Sequence, residues 1–454
     1  MFSVNTYQNR RKLLCEGLDG GVVILLGNMP VPMNYASNWL RFRQDSNFLY
    51  YCGLDHPNLN LVIDVASGES TLFGDDLSIN NIVWEGERIS IKHMAESSGI
   101  EKIKPSTLLE EHLHTHNQSV HYLPLYRADQ KLFLQSLLKH EPNSSSKSLI
   151  QNIIKQRSIK TDEELLEIES ALDITSEMHK LAMRNTKDGI SEQHIVGQIE
   201  GHALSHGRRL AYPVIFTIHG EILHSNVYTN NMRSGQLVLN DSGAESPLHY
   251  ASDITRTFPV NGRFNSTQKD IYSLVFNMQE AAFTYCAPGK SYKDAHLKAS
   301  SIAVEGLKSL GIMKGNVSDA VKAGAHALFF PHGLGHMLGL DVHDMEGLGE
   351  DLVGYDDQNN RSDQFGLAYL RLAKTLEPGF VLTVEPGIYF IPHLIDQWKS
   401  EKKHLDFINY DALKVFRDFG GVRIEDNIVI TNDGYRILGP TIPRTVDEIE
   451  SMMA

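Results

Sequence analysis

The sequence predicts an α+β protein of two domains, a smaller α/β domain followed by a larger one built on antiparallel strands. Three observations support this. The chain has 454 residues, too many for one ordinary core. A polar stretch, His140-Glu-Pro-Asn-Ser-Ser-Ser-Lys147, interrupts the pattern in the manner of a linker. Before that stretch apolar runs alternate with helical segments, whereas after it strand-like pieces come in pairs with helices between them. The domain boundary is accordingly placed at this stretch, with the first domain at 1–150.

In the first domain, Gly21–Leu26 and Leu59–Val65 are short buried strands, and Arg10, Arg11 and Lys12 lie within a helical pattern. In the second, Thr161-Asp-Glu-Glu caps a helix that continues through IESALDITSEMHKLAM with apolar residues at helical spacing. Strands are expected at Gln236–Asn240, Asp253–Val260, Phe380–Glu385 and Gly421–Ile430, and helices near Lys269–Tyr285 and Asp294–Leu310.

Composition is ordinary for a globular protein, 41% hydrophobic and 22% charged. A net charge of -14 argues against nucleic-acid or membrane-surface binding, both of which need a basic face. No run is long enough to span a membrane, and the first residues lack the apolar core of a signal peptide. Cys15, Cys52 and Cys286 are far apart and odd in number, which fits neither a disulfide scaffold nor a paired-cysteine zinc site. These features suggest a reducing, cytoplasmic setting. The 21 histidines direct attention to metal and proton chemistry.

Acids and histidines gather on the later strands. Asp241 ends one strand and Asp253 lies on the next, at a separation that suits a hairpin bringing two carboxylates together. Glu385 and Glu425 stand on two further strands, and His336 lies in PHGLGHMLGLDVH. Taken singly, an acid at a strand end is more commonly a solvated turn residue, and a histidine in a glycine-rich loop is more commonly structural. Taken together, four carboxylates and one imidazole form an oxygen-rich set suited to Mn²⁺ or a similar ion. Two divalent ions would balance the four negative charges, and a water held between them is acidified enough to act as a nucleophile.

Four segments then reveal a resemblance. LNDSGAESPLHYASDITRTFPVNGRF resembles the first metal hairpin of the pita-bread peptidases, the prolidase and aminopeptidase P family. PHGLGHMLGLDVHD resembles its histidine segment, and LTVEPGIYF and GGVRIEDNIVIT its two glutamate strands. RFRQDSNFLYYCGL resembles part of the family's N-terminal domain. The resemblance implies a pita-bread catalytic domain at 155–454 holding two divalent ions, with Mn²⁺ the expected metal. The implied ligands are Asp241, Asp253, His336, Glu385 and Glu425, with Asp253 and Glu425 bridging and Glu385 also acting as base. Thr255 contacts the site in the family. His224, His332 and His343 match positions that polarise the scissile carbonyl, stabilise the oxyanion or assist proton transfer. Arg423 would hold a carboxylate ligand.

The implied substrate is a proline-containing dipeptide or short peptide. Proline forms a tertiary amide and restricts the residue before it, so its hydrolysis needs a dedicated site. The stretch from Gly366 to Gly379 and the insertion from Ile388 through Phe419 resemble prolidase, which cuts Xaa-Pro dipeptides, more than aminopeptidase P. Arg371 would then clamp the dipeptide's carboxylate, for which a guanidinium fork is suited. The alternatives are an Xaa-Pro aminopeptidase, a non-catalytic relative that has lost its metal, and a methionine aminopeptidase-like enzyme, against which the large N-terminal domain argues. The resemblance also implies a homodimer, with Asp45 and Phe48 as candidate partner contacts.

The sequence departs from the family at Asn240 and Ser242, where more apolar neighbours are usual, and the Asp241–Asp253 hairpin is one residue longer than the common spacing. PGKSYKD lacks the glycine of a phosphate-binding loop, HGLGHMLG misses the register of a dinucleotide fingerprint, and HExxH and GxSxG are absent. His112, His114, His116 and His121 form a dense histidine group without acidic strands around it. It reads as a solvated or capping segment rather than a second metal site.

Overall fold

The computed structural model describes residues 1–115, 119–139 and 145–454. They form two compact units, residues 1–157 with 347–349 and residues 158–346 with 350–454. Of the polar stretch at 140–147, residues 140–144 lie outside the described residues. From Lys147 the chain is helical to Ser158.

The first unit is built on a mixed sheet of β1 (Val22–Leu26), β2 (Asn60–Asp64), β3 (Ser70–Phe73), β4 (Lys102–Lys104) and β5 (Val120–His121), in the order β4-β3-β2-β1-β5. Val22, Ile24 and Leu26 pack on Leu134, Leu137 and Leu138 of the helix Ala128–Leu138 and on Leu109 and Leu113. Val23 and Leu25 on the opposite face are buried as well, so β1 reads as a continuous apolar run rather than an alternating one. Arg10 and Arg11 do lie in a helix, Val4–Glu16, and both are buried. Arg11 donates to the carbonyls of Tyr51, Ser98 and Gly99, and the Arg10 guanidinium sits 3.9 Å from the Tyr50 ring centroid.

Two expectations for this unit need comment. Asp45 caps the helix Ser46–Cys52 by accepting from the Asn47 and Phe48 amides, and Phe48 is fully buried within its own unit. Phe48 is therefore a core residue rather than a partner contact. The histidine group is dispersed among separate partners. His112 meets Lys104, His114 Nε2 meets the Leu137 carbonyl, and His121 spans Ser146 and the Gly20 carbonyl, while His116 lies outside the described residues. These three rings are tied into local structure rather than standing as a solvated or capping segment.

The second unit contains three small sheets, all antiparallel. Strands β6 (Ile215–Thr217), β7 (Leu237–Asp241) and β8 (Thr255–Pro259) form one. Strands β9 (Val381–Val384), β12 (Asp426–Ile430) and β13 (Tyr435–Ile437) form another, and β10 (Gly387–Tyr389) pairs with β11 (Gly421–Arg423). The helix Asp162–Asn185 begins on a capping box in which Thr161 Oγ1 accepts from the Glu164 amide and Glu164 returns to the Thr161 amide. The helices expected near 269–285 and 294–310 occupy Ser266–Phe283 and Tyr292–Ser309, the first starting earlier because Asn265 and Gln268 make a capping box of their own.

The strand boundaries correct the sequence reading where it matters most. Asp253 precedes β8, because its backbone pairs with the Asn427 side chain: the Asp253 amide donates to Asn427 Oδ1 and Asn427 Nδ2 donates to the Asp253 carbonyl. Glu385 follows β9, which stops before Pro386, a residue that disfavours helical backbone before it and cannot donate to a ladder. The single strand expected at 421–430 is two strands broken at Ile424-Glu425, with the Glu425 amide turned to the Thr255 carbonyl at 3.0 Å.

Arg256 ties these pieces together. Its guanidinium, 1% exposed, donates to the carbonyls of Pro443 (2.9 Å) and Glu425 (2.6 Å) and to Asp426 Oδ1 (2.7 Å). Removing one partner of a buried charge pair costs about 3–5 kcal/mol. Arg256→Ala should lose stability of that order in chemical denaturation of the metal-free protein. Arg256→Lys should recover only part of it, since an ammonium cannot reproduce the planar fork. Near-wild-type stability of Arg256→Ala would remove this arginine from the account of the fold.

Candidate active site

The breaks in the ladders converge. Asp241, Asp253, His336, Glu385, Glu425, His224, His332, His343, Arg371 and Arg423 all line one cavity of about 330 Å³ in the second unit. The ten residues read as ligands, histidine catalysts or arginine contacts are therefore on its wall, together with apolar Pro213, Ile215, Leu223 and Val342 and Tyr369.

The acids are held by groups that the sequence reading did not select. Tyr212 Oη lies 2.6 Å from Asp241 Oδ1 and 2.5 Å from Asp253 Oδ1, so one phenol proton faces two carboxylates. Arg423 Nη2 donates to Asp241 Oδ2 at 2.5 Å, Nε donates to Thr255 Oγ1, and the Thr255 hydroxyl donates to Glu425 Oε2 at 2.7 Å. Arg423 thus steadies one carboxylate directly and a second through a threonine, consistent with the holding role read for it. Glu425 Oε1 is buried and has no hydrogen-bond partner. Tyr389, in the quoted LTVEPGIYF segment, joins Arg423 Nη1 to His332 Nε2 at 3.0 and 2.8 Å. Tyr212 lies in LAYPV, a segment that itself contains no acid or histidine, and so gave no signal.

His336 provides the test of whether a cation belongs here. Its Nδ1 faces the Met337 carbonyl at 3.0 Å, and a carbonyl can only accept, so Nδ1 carries the proton. Burial holds the imidazole's pKa down to about 4, so the ring is neutral and its lone pair is on Nε2. That lone pair faces Asp253 Oδ2 at 3.4 Å and Glu385 Oε1 at 3.5 Å. With both carboxylates ionised, acceptor faces acceptor in a buried site, an arrangement that either a proton on one carboxyl or a bound cation resolves. Asp253, His336 and Glu425 each offer an atom within 4.8 Å of the others. Burial, followed by the charges of neighbouring carboxylates, pushes Asp253, Glu385 and Glu425 well above the usual carboxylate range. The donor set, all oxygen but for one imidazole nitrogen, fits a divalent ion of the Mn²⁺ type.

The remaining histidines differ in what they leave available. Both nitrogens of His332 are engaged, Nδ1 with the Gly333 carbonyl and Nε2 with Tyr389. His343 Nδ1 lies 2.7 Å from Glu346 Oε2, which fixes the tautomer and leaves Nε2 as an acceptor in the neutral ring. Glu346 Oε2 also takes Arg371 Nη1 at 2.5 Å, so one carboxylate positions both a histidine and an arginine of the cavity wall. Burial lowers the pKa of His224 and brings that of His343 to about 4 and that of His332 to about 3.

Crowded carboxylates destabilise the metal-free fold and favour the cation-bound one. Asp253→Asn keeps the acceptor for Tyr212 while removing a charge. It should therefore raise the thermal midpoint of the metal-free protein, by about 2–4 °C per kcal/mol of repulsion relieved, and reduce the further rise on adding Mn²⁺. An unchanged response to Mn²⁺ would show that Asp253 is not a ligand.

Comparison with known proteins agrees with this geometry. The family described as metallopeptidase family M24 matches residues 167–432, and the aminopeptidase P N-terminal domain matches residues 7–123. Human Xaa-Pro dipeptidase is 35% identical, covering 98% of this chain and 92% of the relative. A probable Xaa-Pro aminopeptidase of Fusarium vanettenii is also 35% identical, covering 95% and 91%. The low-pH form of Escherichia coli aminopeptidase P superposes with a TM-score of 0.84 at 30% identity, covering 100% of this chain and 98% of that one. The cation-demanding cavity, the antiparallel strands that frame it and these full-length likenesses lead to one conclusion: the chain is a member of metallopeptidase family M24, a pita-bread catalytic domain preceded by an aminopeptidase P-type N-terminal domain.

Proposed function

We propose that the protein hydrolyses the bond before proline in Xaa-Pro dipeptides, using two divalent ions, most suitably Mn²⁺. The observation that carries the dipeptide preference is Arg371, a cation on the wall of the same cavity as the acidic cluster. Glu346 takes one of its nitrogens and orients the guanidinium, which has five N–H donors in all. A proline carboxylate meets such a fork well. The apolar side chains of Pro213, Ile215, Leu223 and Val342 offer surface for the pyrrolidine ring. Xaa-Pro aminopeptidase is the second reading, supported by the likeness to the Fusarium and E. coli proteins.

Asp241, Asp253, His336, Glu385 and Glu425 would hold the ions. Bound there, the ions would supply Lewis-acid activation of water and of the scissile carbonyl. Glu385 is the carboxylate assigned to receive the proton of the attacking water. Water oxygen joins the carbonyl carbon, the C–N bond breaks, and the proline nitrogen must gain a proton to leave. His343, with its Nδ1 fixed on Glu346, presents Nε2 for proton transfer, a role its tautomer suits better than oxyanion donation. His224 lines the same wall, whereas His332, engaged at both nitrogens, supports the site through Tyr389.

The reading places the catalytic domain at 155–454 and the N-terminal domain at 1–150, supported by the family matches and the compact units. It includes a homodimer in the reducing cytoplasm, where Cys15, Cys52 and Cys286 stay unpaired.

Metal analysis of Mn²⁺-reconstituted protein should approach two ions per chain, and thorough chelation should abolish hydrolysis. Full activity in stripped protein would overturn the mechanism. His336→Ala should lose metal, whereas His343→Ala should keep it and lose about 10²–10⁴-fold in kcat. Equal metal loss in both would remove the role given to His343. With Mn²⁺ present, an Xaa-Pro dipeptide should be preferred to an Xaa-Pro-Pro tripeptide. Loss of a desolvated charge pair typically costs about 2–5 kcal/mol, so Arg371→Ala should reduce kcat/KM for the dipeptide by roughly 30-fold or more and spare the tripeptide. A wild-type preference for the tripeptide would favour the aminopeptidase reading.

A further inference from the structure

The segment from His336 to Asp344 is a closed loop with functional groups at both ends. His336 faces the acidic cluster and His343 lies on the cavity wall. The His336 end is fixed by β9: the His336 amide donates to Thr383 Oγ1, and the Thr383 amide donates to the His336 carbonyl. The His343 end has no strand beside it. Glu346 takes the His343 ring at Nδ1, and the backbone beside it is anchored through the adjacent residue, Asp344, whose Oδ2 lies 2.7 Å from Lys160 Nζ, with both side chains 1% exposed.

Several bonds make this pair the closure of the loop. The Asp344 amide donates to the Met337 carbonyl at 2.9 Å, and Asp344 Oδ1 accepts from the Asp341 amide at 3.3 Å. Gly339 passes so close that a Cβ there would run into the Asp344 carboxylate and Lys160 Cε. The Gly339 carbonyl in turn accepts from the Ala251 amide at 2.7 Å, two residues before Asp253. Lys160 itself immediately precedes the Thr161 cap, and its amide donates to the Gly379 carbonyl, two residues before β9. One buried ammonium–carboxylate contact therefore joins the histidine loop, the start of a long helix and the approach to a glutamate strand.

A buried pair of this kind is poor evidence for stability, because desolvation offsets much of its attraction. It does fix geometry, and what it adjoins is His343. We propose that Lys160 and Asp344 are positioning residues for catalysis: their buried ion pair holds the loop so that His343 Nε2 faces the reacting bond, and they act on rate through His343 rather than through metal binding.

This inference rests on the proton-transfer role given to His343, and a double-mutant cycle separates the two. The charge-neutral pair Lys160→Met with Asp344→Asn retains approximate shape and removes both charges of the pair together. In the Mn²⁺-loaded enzyme it should bind metal as wild type does and lose about tenfold or more in kcat, with a smaller change in KM. Adding His343→Ala to that background should reduce kcat much less than the same change does in wild type, because a mispositioned histidine has little left to contribute. Lys160→Arg, which preserves the charge, should keep part of the rate and show intermediate coupling, and it serves as the test variant should the neutral pair not fold. Independent, multiplicative losses in kcat, or wild-type kcat in the neutral pair, would overturn the positioning role. Wild-type kcat in His343→Ala alone would instead overturn the role of His343.

Discussion

Four carboxylates and a neutral imidazole line one cavity, and the carboxylates cannot all stay ionised there without something positive among them. Burial deprives Asp253, Glu385 and Glu425 of water, and neighbouring charge then raises the cost of ionising each of them. The orientation of His336 sharpens this, since its proton is committed to a carbonyl and its lone pair faces two acids. Protein groups relieve only part of the demand. Arg423 offers one cation, Tyr212 one proton between two acids, and Thr255 one hydroxyl. The unpartnered Glu425 Oε1 marks where the protein's own donors run out. The architecture of the second unit follows from holding such a set in place until a cation neutralises it.

The fold meets that need by placing the ligands where strands stop. A residue inside a ladder has its backbone committed on both sides, so its side chain can move only with the sheet. At Asp253, Glu385 and Glu425 the regular pairing lapses and each amide is redirected, to Asn427, to the Leu334 carbonyl and to the Thr255 carbonyl respectively. Acids from separate strands can then turn toward a common point. The cost is irregular backbone in the interior, which is tolerated only if every displaced polar group finds a partner. Arg256 supplies several of those partners at once, which explains a fully buried guanidinium behind an already charged site.

This division governs what could be read in the sequence. Strands and helices with strong local signals were legible: the Thr161 cap, the apolar run of β1 and the helix starting near Ser266 all follow from nearest neighbours. The chemical residues were legible because acids and histidines recur in four ordered segments. The strand ends were not, since Asp253 leaves its ladder on account of Asn427, a residue 174 positions away. Tyr212 was invisible for the same reason, being defined by two acids that only the fold brings to it. Phe48 shows the converse error: a segment recognised by resemblance carries both a core residue and a cap, and resemblance alone does not distinguish either from a contact surface.

A site that strains its own fold until it is loaded couples stability to function in one direction. Cation binding releases repulsion that folding had to overcome, so part of the binding free energy appears as folding free energy. Groups that hold the ligands apart from the cation, such as Arg423 and Tyr212, must therefore be strong enough to assemble the cluster yet leave the inward-facing oxygens uncommitted. The geometry meets both conditions at Asp253 and Glu425: Tyr212 takes Asp253 Oδ1 and Thr255 takes Glu425 Oε2, while Asp253 Oδ2 and Glu425 Oε1 are left without a protein donor; Asp241, with Tyr212 on one oxygen and Arg423 on the other, would have to share an oxygen with a cation. Were the outer contacts replaced by apolar packing, the acids would lose the forces that fix them at a spacing a cation can bridge. Were they extended to the inner oxygens, the protein would satisfy its own charges and bind metal weakly. The partial satisfaction of this cluster is what allows the same residues to form a stable fold and a metal site.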